Sequence, residues 1–236
     1  RRIVEKITGK PSFYKSPTDM GVNCAGFGVI DDDAVSEASK QEIVRRYFRY
    51  SCEYAMGLVD KGTVERAELI MKGIGATPAD RVVVNVAKKS AWDAKHDEKG
   101  SDGFYCGAAI ELKDGIMISG NNSELMHASS ALILNAVKHL AGIPKDIHLL
   151  QPNITESIGY MKKDVFLKKG ISLDLEETLI ALSISATFNP SASVAIEKLK
   201  ELRGCEVHLT HLPSPGDDIG LRKLGVNVKS NPEFDT

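Results

Sequence analysis

Residues 104–120 have the sequence FYCGAAIELKDGIMISG, and this stretch predicts a β-hairpin. Two mostly apolar runs flank Asp114-Gly115, a dipeptide that favours the tight turn between antiparallel strands. The next stretch, NNSELMHASSALILNAVKHLAG at 121–142, predicts a helix, because its apolar side chains recur at three- and four-residue steps. A hairpin that leads into an amphipathic helix is typical of a layered α/β structure.

The same alternation continues to the end of the chain. Strands are predicted at 146–152, 205–211 and 226–230, and helices at 155–169, 174–188, 190–204 and 220–227. Asp174 and Asn189-Pro190 carry the residue types that begin helices. We therefore expect an α/β fold, α+β overall when the N-terminal helices are included.

The N-terminal side predicts three consecutive helices, at 33–59, 63–74 and 78–93. Their short connections favour a small helical bundle, and in the third helix we expect Val82, Val83, Val86 and Ala87 to point inward. The charged stretch 93–103 predicts a solvated hinge. The expected parts are an N-terminal helix end with a long ordered loop (1–32), a helical subdomain (33–99) and an α/β subdomain (100–236).

Composition excludes several classes of function. The chain has 236 residues and a formal net charge of −2, which gives no electrostatic reason to bind nucleic acid or an anionic membrane. No apolar run approaches the length of a membrane-spanning helix. The four cysteines form no C-x-x-C pair, so we expect no zinc or other metal, and reduced thiols in the cytoplasm. The chain does not begin with Met, so we expect a trimmed chain or a piece of a longer protein.

The first candidate ligand site is the loop at 16–33, which is long for a connection without regular structure and rich in glycine. Its polar side chains Ser16, Thr18, Asp19 and Asn23 are suited to a polar ligand, with backbone N–H groups near Gly21 as anion donors. The alternative is a turn whose side chains bond their own backbone.

The second candidate site is the predicted helix start at 120–124. Asn121 and Glu124 have the spacing of a capping box, and free N–H groups at a helix start favour a phosphate or carboxylate. Ligand contacts are therefore predicted for Asn121, Asn122, Ser123 and Glu124. The alternative is an ordinary helix cap.

Other polar groups have a structural explanation that we favour. The basic residues of the first helix are candidates for binding a phosphate, but we favour ion pairs with acidic residues along the same helix. These basic residues are Lys40, Arg45, Arg46 and Arg49. His208 and His211 need a further metal ligand, and only Asp217 or Asp218 lies nearby in the sequence. A role of His127 in assisting at the helix start is the alternative to a structural histidine, and Cys24 is expected to be a packed thiol.

Five stretches together resemble one bacterial family. They are YKSPTDMGVNCAGFGVIDDD (14–33), EASKQEIVRRY (37–47), GNNSEL (120–125), IALSISATFNP (180–190) and LRKLGVNV (221–228). In order and spacing they are similar to the C-terminal half of the family called domain of unknown function 1846. The resemblance implies a phosphate-loop-like sequence in the N-terminal half, and a cytidine-deaminase-like topology in the α/β subdomain.

The resemblance supplies no activity. A zinc deaminase needs H-x-E and P-C-x-x-C, and this sequence has neither, so we expect the topology without its zinc site. We expect an enzyme, or a binder of a small phosphate- or carboxylate-bearing ligand, that acts with its own N-terminal half and without a cofactor in this chain. The alternative is a non-catalytic oligomerisation or regulatory module, and in either case we expect a homo-oligomer.

Overall fold

The computed structural model describes residues 32–234, and this part of the chain is a mixed α/β structure. Its α-helices are α1 (Asp32–Ala55), α2 (Lys61–Gly73), α3 (Val82–His96), α4 (Ala128–Leu140), α5 (Pro152–Tyr160), α6 (Leu175–Ser185), α7 (Pro190–Lys198) and α8 (Pro215–Leu224). Its strands are β1 (Gly107–Glu111), β2 (Met117–Asn121), β3 (Glu206–Leu209) and β4 (Asn227–Ser230). A short 3₁₀ turn covers Pro78–Asp80 before α3, and a π-helical turn, Met161–Val165, extends α5.

The sheet has the strand order β2-β1-β3-β4. The predicted hairpin is confirmed: β1 and β2 are antiparallel, and Gly115 has a φ of +82° in the turn between them. β3 is antiparallel to β1 and parallel to β4. The α/β class is therefore confirmed, whereas the cytidine-deaminase-like topology stays a prediction.

Two glycines let helices lie close against opposite faces of the sheet. A Cβ on Gly107 would lie 2.2 Å from the carbonyl oxygen of Ala87 in α3, and one on Gly120 would lie 2.3 Å from the nitrogen of Leu132 in α4. Because side chains alternate across a strand, Ala109 of β1 packs on the α3 side, while Ile110 joins the larger core around α4.

The third predicted helix, α3, packs on the sheet as well as on the other two N-terminal helices. Val84 of α3 packs with Val44 and Met71 of α1 and α2, while Val83 and Ala87 pack on the sheet. α3 therefore joins the helices to the sheet. The inward position predicted for Val82 is wrong, because that side chain is 55% exposed. The division of the chain at residues 32 and 99 stays a prediction.

A buried arginine strengthens this junction. Arg81, immediately before α3, is 3% exposed and donates to Glu206 Oε2 at 2.8 Å and to the carbonyl of Val207 at 2.8 Å. Arg45 of α1 also donates to Glu206, at 2.9 Å. One residue of α1 and the residue before α3 therefore share one carboxylate of β3.

Two sequence predictions are wrong in this part of the chain. The fourth helix begins at Ala128 and not at Asn121, which is the last residue of β2. No strand forms at 146–152 within residues 32–234. There, the carbonyl of His148 accepts from the side chain of Asn189, which also caps α7. The side chain of Leu149 is buried in the main core.

Other local predictions are confirmed. Asp174 caps α6 in a capping box with Glu177. The last helix begins earlier than expected, with Ser214 as its N-terminal cap. Within residues 32–234, no helix combines the length and apolarity needed to cross a lipid bilayer.

Candidate functional site

Asp217 is a buried carboxylate at the start of α8, and it accepts hydrogen bonds from four groups. Its Oδ2 lies 2.7 Å from Ser214 Oγ and 2.7 Å from His127 Nδ1. Its Oδ1 accepts from the hydroxyl of Ser129 and, at 2.9 Å, from the backbone N–H of Leu175. The side chain is 1% exposed. Four donors around one buried group indicate that it is ionised, since a carboxylate has only acceptors.

The donors also determine the pKa of Asp217. Burial raises this pKa, but hydrogen bonds and the charge of His127, together with the hydroxyls of Ser129 and Ser214, outweigh burial and hold it below its ordinary value. Asp217 is therefore a fixed negative charge beside the imidazole.

His127 is positioned by its backbone as well as by Asp217. It occupies the N-terminal cap position of α4, and its N–H donates to the carbonyl of Leu173 at 2.9 Å. The neighbouring residue Met126 forms a parallel bridge with Leu173. The backbone of His127 is therefore held by Leu173 and its ring by Asp217, so the side chain has a defined orientation.

The electrostatic surroundings raise the pKa of His127. Burial lowers it, but the hydrogen bond and charge of Asp217 and the charge of Asp174 outweigh burial, with Lys162 acting in the opposite direction. Since Nδ1 donates to Asp217, Nε2 is the nitrogen available to a ligand. It accepts a proton when the ring is neutral and donates one when the ring is protonated.

His127 lies at the edge of a cleft of about 920 Å³. The cleft has walls from α1, β4 and the residues that lead into α8. Its lining includes Phe48, Arg49, Cys52, Glu53, Met56, His127, His211, Ser214, Asp217, Arg222, Val226, Lys229, Ser230 and Phe234. A smaller cavity of about 190 Å³ also has His127 and His211 in its wall, together with Cys106, Asn122 and Ser123.

Of the predicted ligand residues at 121–124, Asn121 ends β2 and the other three lie on the loop between β2 and α4. The proposed capping box is wrong, because α4 begins four residues after Glu124 and is preceded by His127. Asn122 is buried, and its side chain accepts from the N–H of Cys106 at 2.8 Å and donates to the carbonyl of Phe104 at 3.0 Å. These bonds give Asn122 a structural role.

The other three predicted ligand residues, Asn121, Ser123 and Glu124, differ in their surroundings. The side chain of Asn121 donates to the carbonyl of Asn122, and Ser123 Oγ accepts from the N–H of Met126. Glu124 is exposed. Asn122 and Ser123 nevertheless line the smaller cavity beside His127, so their ligand role stays a prediction.

The remaining sequence candidates fall into two groups. Ser16, Thr18, Asp19, Asn23 and Cys24 lie outside the described residues. Arg46 and Arg49 pair with Glu42 and Glu53 at distances of 3.3 and 3.7 Å, as the helical spacing predicts.

His208 is not a metal ligand in this arrangement. It is fully buried, with Nδ1 3.1 Å from Arg81 Nη1 and Nε2 3.1 Å from the side-chain oxygen of Asn231. Burial and the charge of Arg81 lower its pKa to about 3, so the ring is neutral. Among residues 32–234, no group of three or more acidic, histidine or cysteine side chains is placed to hold a metal ion.

The pairing of His127 with Asp217 is not predictable from local sequence. Ser214-Pro215 followed by Asp217 is a helix-start pattern, but the two partners are 90 residues apart. Only the packing of α8 against α6 and α4 brings Asp217 to His127.

Fold and site together define a mixed α/β protein with a histidine–aspartate pair at the edge of a cleft. The chain belongs to the DUF1846 family: residues 79–236 match "Domain of unknown function DUF1846, C-terminal" and residues 1–75 match "Domain of unknown function DUF1846, N-terminal". The expected resemblance to a C-terminal half alone was too narrow, because both family models match.

Curated relatives support this assignment. The chain is 51% identical over 235 residues to a UPF0371 protein of Clostridium botulinum strain Alaska E43, and 50% identical to one of strain Eklund 17B. Each match covers 99% of this chain and 46% of the relative. The chain therefore spans about half the length of the curated relatives it matches.

Proposed function

We propose that the full-length protein is a cytoplasmic enzyme in which His127 transfers a proton to or from a small phosphate- or carboxylate-bearing ligand. The observation that carries the proposal is the 2.7 Å contact between His127 Nδ1 and the buried Asp217, with the imidazole at the edge of a large cleft. A buried carboxylate behind a histidine fixes the ring orientation and stabilises its protonated form.

The ligand class follows from the groups near the histidine. The polar side chains of Asn122 and Ser123 border the smaller cavity, and basic side chains line the cleft. The proposal keeps Asn121 and Glu124 as neighbouring candidates for the ligand site. The proposal includes the polar loop residues Ser16, Thr18, Asp19 and Asn23, and the part of the full-length protein outside this chain, as further contributors to the ligand site.

The test is hydrogen exchange catalysed by the full-length protein in D₂O. The protein is incubated with a mixture of phosphorylated and carboxylated metabolites, and mass spectrometry detects consumption of a compound or its gain of deuterium. We expect wild type to convert at least one compound, and His127→Gln to lower that rate by about 10²–10⁴-fold.

His139→Gln is the matched control, because His139 is an exposed histidine of the same helix, α4. It should convert the compound at the wild-type rate. Equal rates for wild type and His127→Gln, or no conversion by wild type, would contradict the proposal.

A second candidate function, a homo-oligomeric or regulatory module, is favoured by one exposed apolar row. Ile180, Ile184 and Phe188 follow each other at four-residue steps along and just beyond α6, and are 60%, 45% and 76% exposed. Water-exposed apolar rows of this kind are typical of protein contacts. If a second copy covers this row, Ile184→Lys should dissociate the full-length protein in sedimentation experiments; an unchanged mass would contradict this function.

A further inference from the structure

Four basic side chains lie near the β4 side of the cleft. Arg45 and Arg81 both form ion pairs with Glu206, at 2.9 and 2.8 Å. One negative charge therefore faces two positive charges. Arg49 lies 3.7 Å from Glu53 and is half exposed. The fourth is Lys229 of β4, whose charge interacts with those of Arg81, Arg45 and Arg49.

Lys229 has no acidic partner within ion-pair distance among residues 32–234. Its ammonium donates to the backbone carbonyl of Val228 at 2.9 Å. The side chain is partly buried, and it lines the cleft together with Arg49. Since an ammonium has three donors, this one retains donors that residues 32–234 do not use.

The charges around Lys229 are unfavourable for a cation. Burial lowers its pKa first, and then the charges of Arg81, Arg45 and Arg49 lower it further, with Glu206 opposing them. A partly desolvated cation among other cations is stabilised by an anion. Lys229 and Arg49 both line the cleft, so a single anion bound there is within reach of both side chains.

We propose that Lys229 and Arg49 form a subsite for an oxyanion of the ligand, either a phosphate or a carboxylate group. This inference rests on the proposed function, because the subsite is in the cleft that His127 borders. Lysine supplies a compact charge and arginine a planar pair of donors, and both bind such groups. Apolar side chains of the same cleft, Phe48, Met56, Val226 and Phe234, are available to the uncharged part of the ligand.

The test is calorimetric titration of the full-length protein with inorganic pyrophosphate and, separately, with succinate. We expect at least one of the two to bind, and the one that binds more tightly identifies the oxyanion as phosphate or carboxylate. Lys229→Met should weaken that binding by at least tenfold. Arg49→Gln, at a half-exposed position, should weaken it by threefold or more, and it serves if Lys229→Met fails to fold.

Lys113→Met is the matched control, because Lys113 is an exposed lysine in the β1–β2 turn and does not line the cleft. It should leave binding unchanged. The subsite is ruled out if neither anion binds to wild type, or if the Lys229 and Arg49 variants bind as tightly as the control.

The outcome is independent of the proton-transfer test. His127→Gln should retain anion binding, because it keeps both basic side chains. Loss of exchange activity with intact anion binding is the result expected of His127→Gln, and weakened anion binding is expected only of Lys229 and Arg49 variants. Failure of either proposal is therefore visible by itself.

Discussion

Individual polar residues of this protein differ in whether they build the structure or face a ligand. Asn122 is of the first kind, because both ends of its amide bond to backbone groups of residues 104 and 106. We propose the second kind for His127, because one ring nitrogen is fixed by Asp217 and the side chain lines the cleft. Sequence alone placed both residues near a site but assigned them no such difference.

We predict that Asn122→Ala destabilises the protein, whereas Asn121→Ala has little effect. Removing the Asn122 amide takes away the side-chain acceptor of the buried Cys106 N–H, and a loss of this kind costs about 1–3 kcal/mol. The carbonyl of Phe104 keeps the N–H of Ser101 as a donor. Asn121 contributes one bond, to the carbonyl next to it. Thermal unfolding of the full-length variants measures the difference, and equal unfolding temperatures for the two variants would show that the Asn122 bonds are not structural.

At the scale of elements, the spacing of apolar residues, the residue types at helix starts and the Asp114-Gly115 turn predicted most helices and the hairpin. They succeeded where the local signal coincides with packing, as at Asp174, whose side chain caps α6 and bonds the N–H of Glu177. The same sequence signals gave the wrong result at Asn121, which was predicted to cap a helix but ends β2. The next residue, Asn122, accepts from the N–H of Cys106 and so holds this end of the strand. Tertiary hydrogen bonds overrode a local preference there.

The other element-scale errors have the same origin. Residues 146–152 have a strand-like composition, but the side chain of Asn189 and the hydroxyl of Ser185 bond their backbone, so no neighbouring strand pairs with them. The third helix has apolar side chains on two faces. A single sequence does not show which face packs on helices and which packs on a sheet.

We predict that Gly120→Ala is strongly destabilising and that Gly159→Ala is not. The added methyl group at residue 120 would lie 2.3 Å from the backbone of α4, so β2 and α4 must separate. At residue 159, in α5, the nearest atom is 3.8 Å away, and alanine is the better helix former by about 0.5–1 kcal/mol. Chemical denaturation of both variants measures this, and a Gly120→Ala variant as stable as wild type would contradict the close packing.

At the scale of the whole molecule, the helices and the sheet meet through buried charged and polar groups. Arg81, Glu206 and His208 connect the start of α3 to β3, and Phe48 of α1 packs edge-on against His208 with a centroid distance of 4.7 Å. A buried neutral histidine at this junction makes the stability of the fold depend on pH.

We predict that the protein loses stability as the pH falls from about 6.5. The pKa of His208 is about 3 when folded and near 6.5 when unfolded, so the unfolded chain binds the extra proton over this range. The raised pKa of His127 acts in the opposite direction, because its contribution is full at low pH and is lost as the pH rises through its folded pKa. The two histidines act in different pH ranges: the raised pKa of His127 matters above its ordinary pKa, whereas the lowered pKa of His208 matters below about 6.5 and sets the sign there.

Unfolding temperatures at pH 7 and pH 5 test this dependence in the full-length protein. The fall between the two pH values should be shallower in His208→Gln than in wild type, whatever the absolute stability of the variant. His139→Gln, an exposed control, should keep the wild-type slope. Identical slopes in wild type and His208→Gln would show that this histidine is not the acid-sensitive group.

The proposal that Asp217 raises the pKa of His127 is tested most directly by a nitrogen-15 NMR titration of the full-length protein. The His127 signals are assigned by their absence from the spectrum of His127→Gln. We expect a pKa above the ordinary histidine value, with the proton on Nδ1 in the neutral form. Asp217→Asn should lower that pKa by about one to three pH units, and Asp218→Asn should leave it unchanged. A pKa at or below the ordinary value in wild type, or no effect of Asp217→Asn, would show that Asp217 does not stabilise the protonated form of His127.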